Sequence, residues 1–169
     1  EDKALLWNEI FPKENINKST IYLYYLLHLS NLEIKTITKK IELKSKNKKK
    51  LEQVISEKEK IISILKEKNI LPSRIYYCLK DIDNELLFIL FLENYNTKLL
   101  VKRINYYLSN YKYANIYING NDLKNIGMRP DPIYAKILNL ILYLQLNGLL
   151  KNREEELEFI RKIKEKGIV

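Results

Sequence analysis

Apolar residues recur at helical spacing along most of the chain, and polar residues occupy the positions between them. This pattern predicts helices over residues 20–29, 47–68, 72–79, 83–93, 97–110 and 132–147. Further helices are expected to open at the capping sequence Ser30-Asn31-Leu32-Glu33 and at Asn152. With four glycines and four prolines, the chain has little material for turns. We therefore expect an all-α fold, a bundle of about eight to nine helices.

Two segments are expected to lie in the core of this bundle. Residues 20–29 are apolar nearly all round the helix, which predicts a central position. Residues 86–92 are uninterruptedly apolar and predict a buried helix, because a bilayer span needs about 18–20 such residues. We expect no membrane partner.

The segment 97–110 predicts an amphipathic helix. Its inward positions are Leu99, Leu100, Ile104, Tyr107 and Leu108, and its outward positions are Lys98, Lys102, Arg103 and Asn105.

The best-delimited helix is the one over residues 132–147. Asp131 is a good N-cap residue, Pro132 suits the first helical position, and Gly148 suits the left-handed residue after the end. Asn152, with Glu155 three residues later, predicts a cap for the last helix.

The positive charge of the chain is concentrated in one stretch. The net charge is +9, and residues 35–68 carry twelve lysines and five acidic residues. Such a concentration favours a polyanionic partner. The alternative interpretation is a sequence that is merely rich in lysine and has no such partner. The densest cluster comprises Lys39, Lys40, Lys46, Lys48, Lys49 and Lys50, which form either a phosphate-binding surface or a solvated charged loop.

Few residues are available for catalysis. Cys78 is the single cysteine and His28 the single histidine, so neither a disulfide nor a zinc site is expected, and a reducing cytoplasm suits the chain. Cys78 is expected to be a small buried hydrophobe and His28 a core histidine. The sequence Asp81-Ile82-Asp83 has the spelling of a metal-binding pair, but it falls between two helix signals, which makes Asp83 an N-cap.

The C-terminal third contains an ordered set of motifs. Gly120, Asp122, Leu123, Gly127, Pro130 and Pro132 precede an apolar helix, which the sequence Asn152-Arg153-Glu154-Glu155-Glu156-Leu157 follows. This order resembles the C-terminal signature of bacterial class II tRNA nucleotidyltransferases, the superfamily of CCA-adding enzymes and poly(A) polymerases. The sequence Arg103-Ile104-Asn105-Tyr106-Tyr107-Leu108 resembles the basic helix of the same family.

The resemblance implies a helical body over residues 1–117, with the end of the neck at 1–15, and a helical tail unit over residues 118–169. It implies that this chain binds tRNA and that the RNA backbone is contacted by Lys102, Arg103, Lys124, Arg129 and Lys136. The six motif residues from Gly120 to Pro132 are expected to be architectural, with Gly120 permitting a tight turn. The family sequence P-G-P is Pro130-Asp131-Pro132 here, so a carboxylate stands where a phosphate would otherwise dock.

The family's Gly-Ser-linked carboxylates and its templating arginine are not found in this sequence. We therefore expect the catalytic head and neck to lie upstream, and to use divalent metal, Mg, with CTP and ATP. No cofactor or metal is expected in this part, which alone should be inactive. Alternatives are a noncatalytic scaffold or homodimerisation module, and the C-terminal region of a poly(A) polymerase.

Overall fold

The computed structural model describes residues 7, 11–30 and 56–167. These residues form helices and connecting turns, and no β-strand occurs among them, which confirms the all-α class. The helices in chain order are α1 (Lys18–Ser30), α2 (residues 56–65), α3 (Pro72–Leu79), α4 (Asn84–Glu93), α5 (Lys98–Tyr106), α6 (Gly120–Asn125), α7 (Ile133–Leu146) and α8 (Arg153–Glu165). None of these helices is long and apolar enough to cross a membrane.

Most predicted helix bounds agree with the described helices. The bounds of α3 match the prediction, those of α4 differ from it by one residue at the start, and those of α7 differ by one residue at each end. The predicted helix over 97–110 is divided, because α5 ends at Tyr106 and the chain continues as a π-helical turn over Tyr107–Tyr111. The helix expected after Ser30, and residues 47–55 of the next predicted helix, lie outside the described residues.

The chain divides into two compact units. One comprises Glu1–Ile70 with Ile75–Ser109, and the other comprises Leu71–Arg74 with Asn110–Val169. The domain division expected between residues 117 and 118 stays a prediction.

Helix α4 lies in the core of the first unit. Its residues from Glu85 to Phe91 are all buried, as the apolar run predicted. The indole of Trp7 is buried and meets the rings of Phe11, Phe88 and Phe91 edge-on, at centroid distances of 5.0, 5.2 and 5.6 Å. The buried carboxylate of Glu85 accepts a hydrogen bond from the Asn17 N–H at 3.1 Å, just before α1 begins.

Helix α1 is less central than its composition suggested. Ile21 and Tyr24 are buried, but Tyr22 is 58% and Leu26 65% exposed. The prediction of a helix buried nearly all round is therefore wrong, since packing covers only one of its sides. His28 lies in α1, but its side chain is outside the described part of the structure.

The inward face of α5 also differs from the prediction. Leu100 and Ile104 are buried as expected, and so are Tyr107 and Leu108 in the π-helical turn. Leu99, which was predicted to face inward, is 45% exposed. The buried position next to Leu100 on the helix circumference is taken by Arg103.

The second unit packs α6, α7 and α8 around an aliphatic core. Helix α7 ends in a Schellman motif, in which Gly148 has φ +74° and the Leu149 N–H donates to the Leu144 carbonyl at 2.9 Å. Asn147 makes two hydrogen bonds with Ser73. Its side-chain oxygen accepts the Ser73 N–H at 3.1 Å, and its side-chain nitrogen donates to the Ser73 hydroxyl at 3.0 Å. The buried core residues are Ile118, Leu123, Ile137, Ile141, Leu150 and Ile160.

Candidate nucleic-acid interface

The sequence signature begins with a capped helix. Asn119 is the N-cap residue of α6, and its side chain accepts a hydrogen bond from the Asn121 N–H at 2.9 Å. The carboxylate of Asp122 reaches back to the Asn119 N–H at 2.9 Å, which completes a capping box. Leu123 is fully buried beside them. In the structure Asp122 thus caps α6, and Leu123 anchors the helix in the core.

Side chains join the two halves of the signature, which are residues 120–132 and residues 152–157. The other carboxylate oxygen of Asp122 accepts a hydrogen bond from the guanidinium of Arg153, at the start of α8. Glu156, one turn later, is fully buried, and its Oε2 accepts the N–H groups of Tyr117 and Ile118 at 2.9 and 3.1 Å. The segment before α6 and the first turns of α8 thus form one hydrogen-bonded assembly.

The environment of Glu156 disfavours its charged form. Burial raises the pKa of the Glu156 carboxyl above its ordinary value, and the two N–H donors partly oppose that rise. Its Oε1 is buried and has no hydrogen-bond partner among the described residues. This carboxyl therefore links the stability of the second unit to pH.

The first turn of α8 is capped as predicted. The side chain of Asn152 accepts a hydrogen bond from the Glu155 N–H at 2.9 Å. The carboxylate of Glu155 in turn accepts the Lys151 N–H at 2.8 Å. The acidic residues of this turn also favour the positive end of the helix dipole.

Asp131 was predicted to be the N-cap residue of α7, but the N-cap position is Pro132, one residue later. The Oδ1 of Asp131 accepts the Ile133 N–H at 2.8 Å, at the start of α7, while Pro132 has a helical φ of −52°. The carboxylate thus binds a backbone N–H at the helix start that has no partner within the helix. Tyr134 stabilises the same connection, because its hydroxyl donates to the Met128 carbonyl at 2.8 Å.

The glycines of the signature have different roles. Gly127 ends α6 with φ +81°, and a side chain there would meet the Lys164 Nζ at 3.0 Å. Gly120 is the first residue of α6, has no positive φ, and would place a Cβ at an ordinary 3.7 Å from the Tyr134 ring. The expectation that Gly120 permits a tight turn is therefore wrong, since its backbone is open to any residue.

Substituting these glycines separates the two cases. Gly127→Ala should lower the free energy of unfolding by about 1–2 kcal/mol, because alanine is strained in the left-handed region. The matched Gly120→Ala variant should stay within about 1 kcal/mol of the parent, since alanine favours a helix. Urea denaturation followed by circular dichroism measures both. Equal losses in the two variants would contradict this assignment.

Three of the predicted RNA-binding cations lie exposed on consecutive parts of the second unit. Lys124 lies in the last turn of α6, Arg129 in the connection to α7, and Lys136 in the first turns of α7. Within the described part of the chain, their side chains make no hydrogen bond or ion pair. Lys102 is similarly exposed on α5 of the first unit. The six lysines predicted as the densest cluster (Lys39, Lys40, Lys46, Lys48, Lys49 and Lys50) lie outside the described residues.

Arg103 is placed differently from its prediction. It is 9% exposed, and its guanidinium donates to the backbone carbonyls of Leu65 at 2.5 Å and Lys68 at 3.4 Å. These carbonyls belong to the end of α2 and the turn after it, where no further helical N–H follows. The expectation that Arg103 faces outward is therefore wrong.

The remaining chemically distinctive side chains are also placed by the structure. Tyr106 and Tyr113 are exposed, whereas Tyr111 is half-buried. Cys78 is half-buried rather than fully buried.

The aspartates at 81 and 83 do not form a metal site. Asp81 is exposed with the Lys80 Nζ 3.9 Å away, and Asp83 is the N-cap residue of α4, although its side chain makes no capping hydrogen bond. The described residues contain no group of three or more His, Cys, Asp or Glu side chains that could hold a metal ion. They therefore do not fit the metal-binding centre of a nucleotidyltransferase.

Sequence reasoning missed several contacts that hold this region. It assigned no partner to Arg153 or Glu156, and it did not single out Lys164, whose Nζ donates to the Ile126 carbonyl at 2.6 Å. Glu156, Ile160 and Lys164 follow one another at four-residue spacing and thus share a face of α8. That spacing is the signal that could have identified a face directed at α6.

Comparison with known proteins gives one partial similarity. Over 60 residues the chain is 33% identical to an A-adding tRNA nucleotidyltransferase of Halalkalibacterium halodurans. The match covers 36% of this chain and spans 14% of the length of that protein. No family model matches the chain, and no solved structure does. The similarity points to the tRNA nucleotidyltransferase superfamily and is compatible with a tRNA-related function.

Proposed function

We propose that this chain is the RNA-holding part of a tRNA nucleotidyltransferase, a protein that adds or completes the 3′ CCA end of tRNA. The observation that carries the proposal is the 33% identity over 60 residues to an A-adding enzyme. The signature from Gly120 to Leu157 supports it, because its two halves are joined by Asp122, Arg153 and Glu156.

In this proposal the chain holds tRNA by charge and shape. Exposed Lys124, Arg129 and Lys136 contact phosphates of the RNA backbone, and Lys102 does so from the first unit. Backbone contacts suit a protein that acts on many tRNAs, because phosphates and 2′-hydroxyls are common to all of them. Lys124 lies on α6 and Lys136 on α7, so the backbone at these two cations is already ordered before RNA binds, which lowers the entropy lost on binding.

Nucleotide addition belongs to the catalytic head in this proposal. The head would bind CTP, ATP and the divalent metal, which activates the terminal hydroxyl and stabilises the leaving pyrophosphate. The contribution of this chain is to position the tRNA, through its exposed cations, so that the 3′ end reaches that head.

A tRNA-binding measurement tests the proposal. The triple variant Lys124→Ala, Arg129→Ala and Lys136→Ala should weaken tRNA binding about tenfold at low salt. The slope of log affinity against log salt should fall by about two to three, since each phosphate contact releases counterions. Mobility-shift titrations at several salt concentrations measure both quantities.

A second triple variant controls for total charge. Lys18→Ala, Lys60→Ala and Lys98→Ala remove the same charge from exposed positions of the first unit and should change the slope less. Equal effects of the two triples would contradict the placement of the interface.

Absence of tRNA binding by the parent, with a concentration-dependent dimer in sedimentation, would instead favour a dimerisation module. Equal affinity for tRNA and generic RNA would favour a poly(A) polymerase.

A further inference from the structure

An open cleft of about 430 Å³ lies between the end of α6 and the end of α8. Asn125 and Ile126 line it from α6, and Arg161, Lys164 and Glu165 line it from α8. Residues 161, 164 and 165 share a helix face because they are three and four positions apart. Four of the five lining residues are polar or charged, and the two cations outnumber the single acid.

Lys164 makes this cleft suitable for an anion. The ends of α6 and α8 both present carbonyl oxygens with partial negative charge, which alone would repel an anion. The Lys164 Nζ donates to the Ile126 carbonyl at 2.6 Å and so covers the charge at the end of α6. Arg161 and Lys164 themselves bring positive charge to the end of α8. An ammonium group has three donors, so two N–H groups of Lys164 remain for a ligand.

Gly127 and Arg161 complete the arrangement. A Cβ at Gly127 would lie 3.0 Å from the Lys164 Nζ, so the absence of a side chain at Gly127 leaves room for the ammonium group. The guanidinium of Arg161 makes no hydrogen bond with another described residue, and its planar donors match two oxygens of one phosphate.

Size and polarity identify the class of ligand. The volume falls within the range of about 300–1,000 Å³ that holds molecules larger than a single ion. The surface that lines this cleft is about half polar and half apolar, and its side chains include two cations, one carboxylate and one amide. A phosphodiester with its flanking riboses fits both the volume and the lining, because Asn125 and Glu165 offer hydrogen bonds to 2′-hydroxyls.

We propose that this cleft binds a backbone phosphodiester of RNA, with Arg161 and Lys164 holding its phosphate. The inference rests on the proposed tRNA-binding function and extends it to residues of α8. Exposed Lys124 lies on the same helix as Asn125, so α6 contributes both to the proposed cation surface and to the cleft.

Two single substitutions on α8 test the cleft. Arg161→Gln removes the unbonded guanidinium and should weaken tRNA binding about fivefold, with a salt slope lower by about one. Lys162→Gln removes the same charge from the neighbouring position, where Lys162 pairs with Glu158 at 2.6 Å and does not line the cleft. The control should leave affinity and slope unchanged. Circular dichroism confirms that both exposed-site variants are folded.

Inorganic phosphate distinguishes RNA from a free anion as the ligand. Phosphate is titrated into the parent and Arg161→Gln while the amide resonances of Asn125 and Ile126 are followed. If phosphate shifts these resonances only in the parent but Arg161→Gln leaves tRNA affinity intact, the cleft takes free phosphate and the RNA assignment is overturned.

The remaining outcomes separate this inference from the proposed function. If the parent binds tRNA and the Lys124, Arg129, Lys136 triple weakens binding, but Arg161→Gln changes nothing, the cleft alone is wrong. If the parent does not bind tRNA even at low salt, the proposed function and this inference are both wrong. A lower affinity and a lower slope in Arg161→Gln, with an unchanged Lys162→Gln control, support the cleft.

Discussion

Replacing Arg103 with methionine lowers the free energy of unfolding by about 2–4 kcal/mol, because two carbonyls at the end of α2 lose a charged donor. The guanidinium is 9% exposed and donates to the Leu65 and Lys68 carbonyls. Methionine fills much of the same volume but offers no N–H group. Urea denaturation of the two proteins, followed by circular dichroism, measures the loss.

The neighbouring substitution Lys102→Met is the matched control. It removes the same charge from an exposed position of α5, so the free energy of unfolding should change by at most about 0.5 kcal/mol. Arg103→Met should retain its tRNA affinity at temperatures where it is folded, because a buried guanidinium does not reach the RNA. If Arg103→Met kept the stability of the parent but bound tRNA more weakly, Arg103 would contact RNA at the surface rather than stabilise the end of α2.

Replacing Glu156 with alanine destabilises the second unit by about 2–4 kcal/mol, because two backbone N–H groups lose their acceptor. The carboxylate accepts the Tyr117 and Ile118 N–H groups at 2.9 and 3.1 Å and is fully buried. Glu154→Ala, at an exposed position of the same helix, should have a much smaller effect. Amide hydrogen exchange at Tyr117 and Ile118 reports the loss directly, since both should exchange faster only in Glu156→Ala.

The same carboxyl makes stability depend on pH. Burial raises the pKa of Glu156 in the folded protein, so the protonated form is favoured there relative to the unfolded chain. Its stabilising contribution is fully present below the ordinary glutamate pKa and is lost as pH rises through the folded pKa. Glu156→Gln keeps an acceptor oxygen but does not titrate.

Comparing the two pH profiles isolates this group. The free energy of unfolding of the parent, relative to Glu156→Gln, should fall as pH rises above the ordinary glutamate pKa and through the raised pKa of the folded protein. Urea denaturation at several pH values measures the difference, from which the other titrating groups cancel. A difference that is constant with pH, or that rises with pH, would contradict the raised pKa.

Local signals in the sequence predicted the helix ends well. The start of α3 at Pro72, the cap of α8 at Asn152, and the left-handed ends at Gly127 and Gly148 depend on hydrogen bonds spanning a few residues. Such bonds are set by the chemistry of consecutive side chains and by the allowed backbone angles. The apolar run of α4 likewise predicted burial, because no polar face was available to meet water.

The candidate site was predicted only in part. Exposed Lys124, Arg129 and Lys136 were identified from the motif around them, and they lie at the surface as expected. Arg161 and Lys164 were not identified, because the cleft forms only where the end of α8 lies beside the end of α6. Their sequence context is a charged helix end, which is typical of solvated positions as well.

What the sequence by itself determined is the helical class, most helix ends and the cap of α8 at Asn152, since each depends on neighbours within one or two turns. The tertiary structure alone decided which side of α1 is covered, that Arg103 rather than Leu99 is buried, and that Glu156 binds backbone 38 residues earlier. Those outcomes depend on packing and on unsatisfied polar groups contributed by distant segments. Helical periodicity places residues on a common face of their own helix, but the partner of that face comes from elsewhere in the chain.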